Sequence, residues 1–240
     1  MKNKFIGPGN NVSNVFAKLR RLARPQNEQC EYCSAGIGST HRHLLEIASK
    51  KIICVCDACA LLFENLIGDR RLIPRDSRTL PEFQMTDAEW ESLGLPIGLA
   101  FFYRSTVARK VVGMYPSPSG AIESLLPLRS WQKLEASNPI LAELETDVEA
   151  LLVNRLGTAR EYYVAPIDVC FDLVGLIRLH WRGFSGGEEV FQKLGEFFSK
   201  VGQASRLHGE GDNVRSRDPI RSPTLPDAGI GTTAGSRTHA

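Results

Sequence analysis

The alternation of apolar and polar positions sorts most of the chain into helices and strands. Val12, Val15, Phe16, Leu19 and Leu22 recur at three- and four-residue spacing. That pattern predicts an amphipathic helix of about three turns, stopped by Pro25. Residues 130–136 and 146–156 also read as helices, the second with Asp147 and Glu149 in its first turn. From Asp168 to Trp181 a helical stripe gathers Cys170, Phe171, Val174, Ile177 and Trp181, with Ile167 just before it, so Cys170 reads as a core thiol. Two capping boxes are expected. Thr86 with Glu89 opens a short helix through Leu93, and Ser185 with Glu188 opens one to about Val201. Residues 97–104 and 110–115 read as strands joined by a polar turn, with 122–126 and 161–167 as further strands. The run 116–120 (PSPSG) is expected to break the second strand. Strands and helices mix with no regular βαβ alternation, which argues an α+β fold.

The same pattern divides the chain into segments. Residues 1–29 are a basic amphipathic segment, expected to pack on the body or to dock on a partner. Residues 30–67 hold a cysteine module, and 68–202 form an α+β body whose first part, 68–82, reads as a polar link. Residues 203–240 are rich in Gly, Pro, Ser, Thr, Arg and Asp, with few large apolar side chains. They are expected to be a disordered tail.

Composition narrows the functional classes. The 240 residues are 42% hydrophobic and 23% charged, with a formal net charge of +2, so the chain is an ordinary globular protein without the basic excess of a dedicated nucleic-acid binder. No apolar run approaches the roughly 18 residues that cross a bilayer. Residues 1–10 carry two lysines with no apolar segment after them, so no secretion signal is read and the expected location is the cytoplasm.

In a reducing compartment, clustered cysteines are metal ligands more often than disulfides. Five of the six cysteines fall between Cys30 and Cys59. Cys30/Cys33 and Cys56/Cys59 are two C-x2-C pairs separated by 22 residues, near the roughly 15–20 residue gap of common zinc modules. Two such turns complete a tetrahedral four-thiolate site. Residues 41–47 and 51–55 read as a hairpin turning at Ala48-Ser49-Lys50, and the second pair runs into a helical stretch from Ala60 to Leu66. Knuckle, hairpin, then ligands at a helix start is the order of a treble-clef zinc finger rather than a plain zinc ribbon. One zinc per chain is expected, with an iron–sulfur centre as the alternative. A closed four-cysteine site points to structure rather than catalysis. Cys54, His41 and His43 are candidate extra ligands or outer groups around the ion.

Elsewhere no nucleophile elbow, phosphate loop, dinucleotide fingerprint or HExxH helix occurs, and no catalytic residue is assigned. Ser117, Ser119 and Glu123 are candidate ligand-binding groups in the Pro- and Gly-containing loop 115–123; a solvated, Pro-stiffened turn is the plainer reading. Asp168, Asp172, Arg178 and His180 read as the solvated face of their helix.

The module CEYC…HRHLLEI…CVCDACALLF, together with GLAFFYRS, MYPSPSGAIESLLPL, DVEALLVNR and DLVGLIRLHWRGFSGG, resembles a bacterial family of unknown function, over about residues 30–198. Members of that family look to be encoded beside nickel–iron hydrogenase genes. The resemblance implies an accessory role, with a hydrogenase subunit or maturation factor as protein partner. It carries over no activity and no catalytic residue. Two further readings stand beside it: a metal or redox carrier, or an enzyme, using Cys54, Cys56 and Cys59, and a nucleic-acid-binding regulator.

Overall fold

A computed structural model describes residues 28–64, 69–183 and 186–207. The basic helix expected at 12–22 and residues 208–240 of the expected tail lie outside the described residues. Among the described residues there are two β-sheets and six helices, and the mixed α+β class holds.

The smaller sheet belongs to the cysteine module. Strands β1 (Arg42–Glu46) and β2 (Lys51–Val55) form the expected antiparallel hairpin, with Lys50 in the left-handed region at φ 56° closing the turn. Helix α1 (Asp57–Glu64) follows directly. Strand β3 (Arg70–Leu72) then pairs with the free edge of β1, giving the order β2-β1-β3. The segment 68–82, read as a polar link, is therefore structural. It supplies β3, the buried Ile73 and Leu80, and strand β4 (Arg78–Thr79). Strands of two and three residues are too short to show any periodicity.

The larger sheet has seven strands. After β4 come α2 (Asp87–Ser92), β5 (Leu99–Ser105), β6 (Lys110–Ser117), β7 (Gly120–Ser124), α3 (Leu128–Ser137), α4 (Ile140–Glu143), β8 (Glu149–Asn154), β9 (Glu161–Pro166), α5 (Ile167–His180), α6 (Gly187–Ala204) and β10 (Arg206–Leu207). Their order in the sheet is β10-β4-β9-β8-β5-β6-β7. All of these pairs are antiparallel except β10 with β4. Residues 203–207, counted with the expected tail, are structured instead, since α6 runs to Ala204 and β10 pairs at the sheet edge.

Period-2 alternation divides the side chains of the central strands between two cores. Leu99, Phe101, Tyr103, Ala150, Leu152, Tyr163 and Ala165 face α5 and α6. Ala100, Phe102, Leu151, Val153, Tyr162 and Val164 face α3, α4 and the end of α2. The sheet is therefore covered on both sides.

This double cover explains the main correction to the sequence reading. Residues 146–156, expected as a helix, contain strand β8, whose six residues are all buried. Ala150 to Val153 is apolar at every position because both faces are packed, so it shows no alternation. Its charged neighbours are partnered as well. Glu149 pairs with Arg78 at 3.3 Å, and Asp147, at φ 69°, accepts the Thr106 N–H at 2.8 Å.

A smaller correction concerns a turn. Strand β6 runs through Pro116 to Ser117 and turns at Pro118-Ser119; it is not broken at 116. Beyond Met114 it pairs with β7 alone, leaving an edge where proline removes no needed donor. Ser185, expected to open helix α6 with a capping box, lies outside the described residues. The N-cap of α6 is Gly186, at φ 87°, with no side-chain cap. A Cβ at Gly186 would lie 2.9 Å from Val190 and 3.1 Å from the Trp181 ring. The Thr86 capping box forms as expected, with Glu89 N–H donating to Thr86 Oγ1 at 3.2 Å and Thr86 N–H to Glu89 at 2.7 Å.

Gly98 yields a first prediction. A Cβ there would sit 2.6 Å from the Arg155 carbonyl oxygen, and Arg155 N–H donates to Gly98 O at 2.6 Å. Neither backbone can move without breaking the approach of β5 to β8. Gly98→Ala is expected to cost about 1–3 kcal/mol, read as a lower urea midpoint at unchanged slope. An unchanged midpoint would show that the approach is not tight.

Candidate metal centre

The first cysteine pair is set by a knuckle. Ser34 N–H donates to Cys30 O at 2.8 Å, Cys30 N–H to Ala35 O at 2.8 Å, and Ser34 takes φ 58°. These bonds turn Cys30 and Cys33 to the same side. The second pair is set by the helix start. Cys56 directly precedes α1, and Cys59 N–H donates to Cys56 Sγ at 3.4 Å.

The sulfurs of Cys30, Cys33, Cys56 and Cys59 lie within 4.8 Å of one another. Cys33 Sγ and Cys56 Sγ are 3.7 Å apart. Sulfurs at about 2.3 Å from a tetrahedral ion stand about 3.8 Å apart, whereas a disulfide is about 2.05 Å long. The arrangement therefore fits a shared cation and not a cross-link. All six cysteines are free thiols.

The electrostatics agree. Burial alone would push the Cys30 thiol up, but hydrogen bonds from the backbone of Cys56, Cys33 and Tyr32 bring it down to about 6. Cys59 is pushed up to about 12, first by burial and then by the sulfurs of Cys30, Cys56 and Cys33. One thiolate forms readily, and the next is resisted by its neighbours. A divalent cation held there would remove that conflict by deprotonating the set outright.

The core of the module is small. Cys30, Leu44, Ile53, Val55, Cys59 and Ala60 are buried in it, with Tyr32 and Phe63 tilted against each other at its edge, centroids 4.5 Å apart. Two of the six buried residues, Cys30 and Cys59, belong to the four-sulfur cluster. A core of that size is small for a module of this length, and metal ligation would supply the missing free energy.

The other candidate residues fall elsewhere. His41, His43 and Cys54 do not join the four-sulfur cluster; their donor atoms lie within 4.8 Å of each other as a second group. His43 and Cys54 are opposite one another in the hairpin. Asp168, read from the sequence as solvated, accepts a 2.6 Å hydrogen bond from His43 Nδ1. This bond, opposed by burial and aided by the charges of Asp168, Asp172 and Glu28, raises the His43 pKa. The contact joins residues 125 apart, so no local pattern announces it.

Ser117, Ser119 and Glu123 are engaged within the β6–β7 hairpin. Ser117 Oγ donates to Gly120 O at 2.8 Å and accepts from Ser119 N–H at 3.1 Å, while Glu123 pairs with Lys110 at 3.3 Å. Cys170 is fully buried in the core, and burial holds its pKa well above the ordinary thiol value.

Fold and site together define a mixed α+β protein carrying a four-cysteine module able to hold a metal ion. Residues 29–205 match a family of unknown function, DUF5947, and the chain belongs to that family. Neither a curated protein nor a solved structure gives a significant match.

Proposed function

We propose that the chain is a zinc-binding accessory protein that works through protein–protein contacts in hydrogenase assembly or function. The observation that carries the zinc reading is the closed set of four sulfurs, with Cys33 and Cys56 3.7 Å apart. Knuckle, hairpin and helix follow one another as in a treble-clef zinc finger. Four thiolates around one zinc leave no coordination position for a substrate, which favours a structural ion over a catalytic one. Free, clustered thiols suit a cytoplasmic setting. Among the described residues, no helix is long and apolar enough to cross a membrane.

The contact reading rests on the outer face of α1. Leu61 and Leu62 are 65% and 70% exposed on the helix that carries the second ligand pair. Zinc would hold this helix and present the two leucines as an apolar contact. The hydrogenase link comes from the family resemblance in the sequence.

The test is deletion of the gene in its own organism, with hydrogenase activity as the readout. Activity is expected to fall and to return with the wild-type chain. It should not return with Cys59→Ser, which lacks the metal, nor with Leu61→Glu/Leu62→Glu, which keeps it. Undiminished activity in the deletion strain overturns the hydrogenase assignment.

One observation supports the carrier reading. Cys33 is exposed at the rim of the site, where a competing ligand can reach the ion. A structural zinc resists mild chelation for hours, whereas loss within minutes would favour a carrier. The nucleic-acid reading depended on residues 1–29, which lie almost wholly outside the described residues.

A further inference from the structure

The hairpin β1–β2 has two differently occupied faces. Leu44, Ile53 and Val55 point into the cysteine core. Leu45, with Ile52 beside it, packs instead into the core shared by the large sheet, α5 and α6. His43 and Cys54 are the next cross-strand pair but one from Leu45 and Ile52, on the same face. His41 follows two residues away on that face. The three polar side chains therefore lie where the module meets the body.

Their hydrogen bonds determine which ring nitrogens are free. His41 Nδ1 is 2.8 Å from Gly38 O, a carbonyl that can only accept, so this nitrogen carries the proton. The Glu28 carboxylate, 3.3 Å away, favours the same assignment. His43 Nδ1 donates to Asp168 Oδ2 at 2.6 Å. Asp168 is itself held, since its Oδ1 accepts Val169 N–H at 2.8 Å. In the neutral rings both Nε2 atoms are then bare lone pairs, yet they face each other at 3.0 Å. Two acceptors at that distance repel unless a proton or a metal ion lies between them. Two imidazoles on a tetrahedral zinc, at about 2.0–2.1 Å each, bring their nitrogens to about 3.3 Å. The Cys54 sulfur is within 4.8 Å of both.

We propose that His41, His43 and Cys54 form a second metal site, separate from the four-cysteine site, in which Asp168 positions His43. Two imidazoles and a thiolate suit a divalent transition ion, and zinc fits them best. Asp168 on His43 Nδ1 is the carboxylate–histidine–metal arrangement that fixes ring orientation and strengthens the ligand. Unlike the four-cysteine set, three protein ligands leave a fourth position for water or a substrate oxygen, the make-up of a Lewis-acid zinc. A Cys–His–Asp nucleophile set explains the geometry less well, because His43 Nε2 is turned to another imidazole nitrogen. Because Asp168 belongs to the body, the site also ties the module to α5.

The test is a zinc titration of the full, metal-stripped chain against a competing chelator, with elemental analysis of the saturated protein. Two zinc ions per chain are expected. His41→Ala/Cys54→Ser should bind one, and Cys59→Ser should lose the other, so the two sites fail independently. Asp168→Asn should keep two ions but weaken one of them about 10–100-fold. Histidine nitrogen NMR covers the case where the double variant does not fold. In the wild-type chain, the Nε2 signals of His41 and His43 should move to metal-bound positions as the second equivalent is added. A single zinc per wild-type chain overturns the site. So do imidazole signals that show a shared proton and ignore zinc. Rapid alkylation of Cys54 in the zinc-saturated chain would favour the nucleophile set and overturn the metal.

Discussion

Replacing Cys59 by serine is expected to empty the four-cysteine site and unfold the module around it. Cys59 is buried and is held by its own N–H bond to the Cys56 sulfur. A serine hydroxyl does not ionise at neutral pH and is a poor zinc ligand, so the site drops to three ligands. Structural zinc contributes about 10–16 kcal/mol of apparent binding free energy in small modules. The six-residue core of this module has no comparable reserve. Unfolding should stop at the body, whose two cores lie on the large sheet. Hydrogen exchange should therefore show the hairpin and α1 losing protection while β5, β8 and β9 keep theirs. Retention of tightly bound metal and of hairpin protection would contradict the structural role. Acid should produce the same state in the wild-type chain, because ligand thiolates take up protons as the metal leaves.

The second large effect is expected at Phe102. It is fully buried on β5, tilted against Trp131 of α3 with centroids 5.2 Å apart. A Cβ on Gly113, directly across the strand pair, would already touch its ring at 3.0 Å. The ring thus fills the space between the sheet and α3. Phe102→Ala should cost about 3–5 kcal/mol, since strands on either side prevent the cavity from collapsing. At about 2–4 °C per kcal/mol for a chain of this size, Tm should fall by about 10 °C. Leu125, 98% exposed, is the control: Leu125→Ala should stay within about 0.5 kcal/mol of wild type. Equal effects at the two positions would show that the described core does not carry the stability.

Local chemistry was legible in the sequence wherever it is encoded locally. The Thr86 capping box needs residues three apart, and both bonds form. The hairpins β1–β2 and β5–β6 announce themselves by β-rich runs around a polar turn. The paired C-x2-C turns bring four sulfurs together as their spacing implied. Most of what was misread depends on neighbours distant in the chain. Strand β8 looks helical because both its faces are covered, which only the tertiary arrangement decides. Strands β4 and β10 exist through pairing with partners far along the chain. His41, His43 and Cys54 were seen as satellites of one ion because the sequence places them between the two cysteine pairs. The alternation of the hairpin sends them to its opposite face, where Asp168 waits on α5.

Metal-edge X-ray absorption on the full chain, purified without added metal, tests the central assignment most directly. The account predicts a zinc edge with a shell dominated by sulfur at about 2.3 Å. An iron edge, or a zinc shell made only of nitrogen and oxygen, would contradict it.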